Sequence, residues 1–268
     1  MRRVSRAIGP GLVVAFLAAA VIGPWVAPHA VTDVDLLREY AAPSLDHPLG
    51  TGDNGVDLLA SLFAGARLAA LVALLVVGTC APLGALLGAA AGYAGGVLDA
   101  AFVRVTDVVQ AFPSIVLNVA ILALVARPGL GHLVAALCVN GWVLYARVAR
   151  AQALALRERE FVTAARALGQ TPFLVVVRHV LPNLAGPLVV QATFGLGATI
   201  LAESSLSFLG LGPGAEVSWG AVLDQGTGVL LRTPRVAVVA GAAIALTVLG
   251  FNLTGDWLRD RLDPRGRG

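Results

Sequence analysis

The sequence predicts an all-α membrane protein with six transmembrane helices and both termini cytoplasmic, and three observations carry that prediction. Of 268 residues, 57% are hydrophobic and only 13% charged, against about 45–50% and about 25% in soluble domains. The mean hydropathy is +0.83. Six stretches, at 7–27, 68–92, 102–126, 133–153, 187–209 and 236–258, each approach the ~20 apolar residues that a bilayer core requires. A soluble enzyme is excluded. So is a disordered chain, because the segments around the 31 Gly and 14 Pro are too apolar.

The first stretch follows Arg2, Arg3 and Arg6 and runs into APHA at 27–30, which a cleaved leader would also do. A leader followed by five spans would leave the two ends on opposite sides, so the reading is an uncleaved first helix, residues 1–28. Residues 29–66 form an extracytoplasmic segment with Asp33, Asp35, Glu39, Asp46, Asp53 and Asp57 against Arg38. Residues 67–268 are the main transmembrane domain. In its first span Gly84, Gly88 and Gly92 share one helix face, which reads as a packing surface. Pro82, Pro113, Gly195, Gly197 and Gly250 fall inside spans, where neighbouring helices satisfy the carbonyls that a proline frees. On the third span Arg104 and Asp107 are three residues apart and are expected to pair on one face. Arg147 and Arg150 close the fourth span at its inner end. With the N-terminus inside, 14 of the 19 arginines lie on the cytoplasmic side, as the positive-inside rule demands.

All 19 basic residues are arginine. A Walker A loop needs a lysine for the nucleotide phosphates, so this chain cannot hydrolyse ATP by that route. Cys80 and Cys138 sit in apolar runs, and no Cys/His spacing has the signature of a metal site. No catalytic, cofactor-binding or metal-ligating residues are assigned, and no nucleic-acid partner is expected. The Asn252-Leu-Thr sequon lies within the last span and is set aside. Glu203 lies deep in the fifth span beside Ser204, Ser205 and Ser207. An intramembrane carboxylate is a pathway or gate candidate by default; the alternative is a group bonded to neighbouring hydroxyls. Asn118 and Gln191 are the weaker polar candidates.

The longest inner loop, at about 154–186, is the most informative element. Ala164, Ala165, Ala167 and Leu168 favour helix, and Gly169 is placed to end it in a left-handed turn. Thr171 and Pro172 then supply an N-cap and a first helical position. A second short helix at 173–180 is expected to stop ahead of Pro182. Small residues with Arg157, Glu158, Arg159, Glu160 and Arg166 around them suit a helix that seats in a partner's cleft, or one that rests on lipid headgroups.

The motif Thr163-Ala-Ala-x3-Gly169, with Leu181-Pro182 twelve residues on, resembles the EAA loop of ABC-importer permeases. The likeness continues through HPLGT at 47–51, GAR at 65–67, AGYAGG at 91–96, AFP at 111–113, YAR at 145–147, RHVLPN at 178–183, ESSLSFLGLG at 203–212, SWG at 218–220 and GDWLRDRLDPR at 255–265. In that order they resemble the second permease of the dipeptide, oligopeptide and nickel importers. Thr163 stands where the loop's glutamate is usual. The resemblance implies the type I ABC importer permease fold in a bacterial plasma (inner) membrane. It further implies a second homologous permease subunit, two ATP-binding subunits that hold ATP and Mg, and an extracytoplasmic solute-binding protein. Thr163, Ala164, Ala165, Arg166, Gly169, Leu181 and Pro182 would form the ATPase-coupling loop, with alternating-access transport of peptides. A nickel or other small-solute importer is the alternative within the family. An autonomous secondary transporter is the alternative outside it; that class wants ion-coupling residues or a repeat pair of broken helices, neither of which is evident.

Overall fold

The computed structural model describes residues 2–214 and 216–262, excluding the side chains of residues 2–6. The side chains of Arg2, Arg3 and Arg6, and the residues Arg265 and Arg267, all counted in the charge argument, lie outside the described residues. The described chain folds into ten α-helices: α1 (Arg2–Val26), α2 (Leu58–Ala94), α3 (Gly96–Gln110), α4 (Ser114–Ala123), α5 (Leu130–Leu156), α6 (Glu160–Ala167), α7 (Pro172–Val175), α8 (Leu181–Phe208), α9 (Trp219–Gly228) and α10 (Pro234–Leu262). Among the described residues the extended pairing is one isolated bridge, Thr51 to Asp57.

Asp57 opens α2 by accepting the Ala60 N–H at 2.8 Å. The helix runs for 37 residues, or ~56 Å at 1.5 Å per residue, well beyond the ~30 Å of a bilayer core. The apolar count had begun it ten residues later because Ser61, Gly65 and Arg67 dilute the first turns. Alongside lies α5. A Cβ on Gly84, Gly88 or Gly92 would run into the backbone carbonyl of Trp142, Ala146 or Arg150 respectively. The glycine face expected to pack is therefore a backbone-to-backbone seam between these two helices. Around it pack α8 and α4, burying Val72, Leu122, Leu133 and Leu206. A second core joins α1, α2, α8, α9 and α10, where Phe16 sits edge-on to Trp219 and to Phe251, each at 5.8 Å. Through Phe16 and Ala20, α1 is a packed member of the bundle.

Five runs are long and apolar enough to cross a membrane: α1, α2, α5, the stretch 172–208 that holds α7 and α8, and α10. The expected third span differs. It is the pair α3 and α4, bent by 72°, because Pro113 has no N–H to continue α3 and restricts Phe112 before it. The expected stop ahead of Pro182 is also corrected. Val176–Val180 widen into one π turn, in which the Leu181 N–H reaches the Val176 carbonyl. That turn passes Pro182 into the first turn of α8, and Asn183 Nδ2 donates to the His179 carbonyl at 2.7 Å. The helix expected from Pro187 thus starts at Leu181, and α7 and the π turn run into it to make one stretch over 172–208.

The bundle has two distinct ends. Residues 27–57, α9 and the loops beside it form one, the cap end. The other, the hinge end, carries α6, α7 and the turns at Gly95 and Gly96. Toward it, α3 is clamped to α5 by Arg150 on Asp99 (2.5 and 2.7 Å) and by Arg147 on Asp107 (2.6 Å). The pairing of Arg104 with Asp107 expected within one helix is replaced by this bond between helices, because α5 brings Arg147 to the carboxylate.

Candidate functional site

At the hinge end, α6 closes as the sequence requires. The Gln170 N–H donates to the Ala165 carbonyl and the Gly169 N–H to the Arg166 carbonyl, which is the Schellman pattern. Gly169 has φ +80°, with open space where a Cβ would stand. Thr171 caps α7 by accepting the Leu174 N–H at 3.4 Å. The angle between the two short helices is held from below. Val162, Ala165 and Val175 are buried together against Tyr93 at the end of α2, Arg166 Nε donates to Tyr93 Oη at 3.0 Å, and Gln170 Oε1 meets His179 Nε2 at 2.9 Å. Thr163, Ala164 and Ala167 face outward, with Phe161, Leu168 and Phe173 exposed by 42%, 83% and 76%. The residues expected to form a coupling loop therefore divide: Ala165 and Arg166 hold this end to the bundle, Thr163 and Ala164 lie on the exposed face, and Leu181 and Pro182 begin α8 behind it.

Within the bundle, Asn118 is 2% exposed. Asn140 Nδ2 donates to its Oδ1 at 3.4 Å. Both line a cavity of about 170 Å³ with Ser114, Tyr145 and Thr199, at the junction of α4, α5 and α8. Gln191 is half-buried on α8 and is not among the residues lining that cavity. Glu203 is fully buried. Its two oxygens accept from Ser207 at 2.7 Å and Ser204 at 3.2 Å, all on one helix, so the geometry favours the hydroxyl-bonded reading over a cavity-lining one. The asparagine pair was legible only in half: Asn140 carries no motif, and only the fold sets it against Asn118.

The cap end gathers four of the sequence motifs. Gly65 lies against the Trp219 indole, whose Nε1 donates to the Leu62 carbonyl at 2.9 Å. Gly220 meets the Ser204 carbonyl. Arg235 Nη2 reaches the carbonyls of Ala41 (2.7 Å), Thr51 (3.4 Å) and Tyr40 (3.5 Å), fastening the segment to the start of α10. Burial first, then Asp53 and Glu39, push the Tyr40 phenol above its ordinary range. His47, from the first motif, is bound to Asp57 Oδ2 at 2.8 Å, and the His29 ring stacks on it at 4.4 Å.

A multi-span helical bundle with a largely apolar cleft that holds an asparagine pair, and with an exposed short helix at one end, has the build of a membrane permease. Residues 84–268 match the family described as the binding-protein-dependent transport system inner membrane component, and the chain belongs to that family. Among its relatives, the probable D,D-dipeptide transport system permease protein DdpC of Escherichia coli is 37% identical, over 96% of this chain and 86% of its own. The dipeptide transport system permease protein DppC of Bacillus subtilis is 37% identical, over 92% and 78%. The oligopeptide transport system permease protein OppC of that organism is 32% identical, over 97% and 85%.

Proposed function

We infer that the chain is one of two transmembrane subunits of an ATP-driven importer and forms half of a pathway for di- or oligopeptides by alternating access. In this reading both termini and the hinge end face the cytoplasm. The partners are a second homologous permease, two ATP-binding subunits that hold ATP and Mg, and a solute-binding protein at the cap end. The observation that carries the reading is the hinge. The short helix α6, with its exposed small-residue face, is tied to α2 through Tyr93 and across the Gly169 turn to α7, which runs through the π turn into α8. Displacement of that face by a partner is passed on through the packed contacts that hold the turn to α2 and α7, and so reaches the spans. The peptide names of the relatives support a peptide over a nickel chelate. With no lysine in the chain, a partner-supplied nucleotide site also fits.

The test is a reconstituted complex. Gly169→Pro imposes φ near −65° where the turn needs +80°, and is expected to leave ATP hydrolysis running while uptake falls at least about tenfold. Gly169→Asn, which tolerates the left-handed region, should keep most uptake. Full uptake by the proline variant would overturn the coupling role.

A further inference from the structure

The cap end carries a cluster that the proposed function does not draw on. Asp57 is fully buried, and its two oxygens are separately engaged: Oδ1 caps α2 and Oδ2 takes His47 Nδ1. His29 Nδ1 points at the same Oδ2 from 4.0 Å. It is itself buried without a hydrogen-bond partner, and such an orphan costs free energy. The three ligand atoms of His29, His47 and Asp57 all lie within 4.8 Å of one another.

We propose that His29, His47 and Asp57 form a binding site for a divalent transition-metal cation of the zinc type, independent of the transport reading. Two imidazoles and one carboxylate are a donor set for zinc, copper or nickel rather than for magnesium or calcium. A proton satisfies only one of the two rings on Asp57, whereas a cation satisfies both. Bonds of about 2.0–2.2 Å put tetrahedral ligands ~3.4 Å apart. The His29–Asp57 gap of 4.0 Å closes toward that value and the His47–Asp57 contact of 2.8 Å opens toward it, by small side-chain rotations.

Protonation also closes. Arg38 Nη1 lies 3.3 Å from His47 Nε2, and an arginine only donates, so the ring proton now sits on Nδ1. Metal at Nδ1 moves that proton to Nε2, and Arg38 turns to Asp35 and Asp46, already 3.5 and 3.8 Å from its nitrogens. The Ala60 N–H on Asp57 Oδ1 is the outer-shell bond that orients the carboxylate. His29 is one-third exposed, which gives the ion a route in and water a fourth position. The ion would join the chain just after α1 to the first turn of α2.

The test is titration of the full chain, in detergent and in its assembled complex, with Zn²⁺ alone and with Co²⁺ as spectroscopic probe. One zinc per chain and a tetrahedral Co²⁺ absorption are expected. His29→Ala and Asp57→Asn, the second of which keeps the helix cap, should each weaken binding at least about tenfold with the elution profile unchanged. His132→Ala should bind as the parent does. Failure of the parent chain to retain zinc, or equal affinity in His29→Ala, overturns the proposal. If Asp57→Asn aggregates, the His29→Ala comparison alone decides.

Discussion

Glu203 is the residue whose meaning changes most on folding. Read along the chain, a carboxylate deep in an apolar span points to the transport pathway. In space it is held by two hydroxyls of its own helix, at 2.7 and 3.2 Å, and fully enclosed. Glu203→Gln is expected to assemble normally and to transport within about twofold of the parent, because the serines can rotate to suit an amide. Glu203→Ala leaves a cavity and two stranded hydroxyls, and should lower stability by about 1–3 kcal/mol, read from thermal unfolding of the purified complex. Gly169 shows the opposite case: helix formers followed by glycine and Thr-Pro state a C-terminal turn locally, and the turn is there. His29, His47 and Asp57 were out of reach, since partners 18 and 10 residues apart in irregular chain leave no periodic trace.

At the scale of elements, apolar length located the spans and missed their ends. The first turns of α2 are mixed in polarity, yet Asp57 caps them, so a cap was a better guide to that start than hydropathy. Proline misled in both directions. Pro113 breaks its span into two helices bent by 72°, while Pro182 is absorbed by a π turn. Around Pro182 the Leu181 N–H reaches back five residues to Val176, and the Asn183 side chain takes the neighbouring His179 carbonyl. The α2–α5 seam yields the sharpest prediction. Gly88→Ala forces the two backbones apart and should cost about 1–3 kcal/mol. Gly78→Ala, on the same helix with nothing within 4 Å of the new Cβ, should be neutral or stabilising by up to ~1 kcal/mol. Equal melting temperatures for the two variants would show that the seam is not close-packed.

At the scale of the molecule, composition alone located the chain in a membrane, and the ordered motifs pointed to its family. What they did not convey is how the motifs cooperate. Those at 65–67, 203–212 and 218–220 meet at one end, and the loop at 154–186 occupies the other. Between them, residues 172–208 run as one 37-residue span. Spin labels at Leu174 and Leu209, both exposed, are expected to shift together when the complex passes through its ATP cycle, in pulsed distance measurements against a fixed site on α5. Movement at Leu174 with none at Leu209 would show that the run flexes at its π turn.

The unbroken join between hinge and span has a mechanical consequence. A rod of 37 residues is ~56 Å long. Pivoted near its middle against the glycine-lined spine, it converts about 5° of tilt into roughly 2–3 Å at each tip. The π turn that carries the chain past Pro182 keeps that lever in one piece, so in the proposed coupling a push at one face of the bundle is returned at the other with opposite sign.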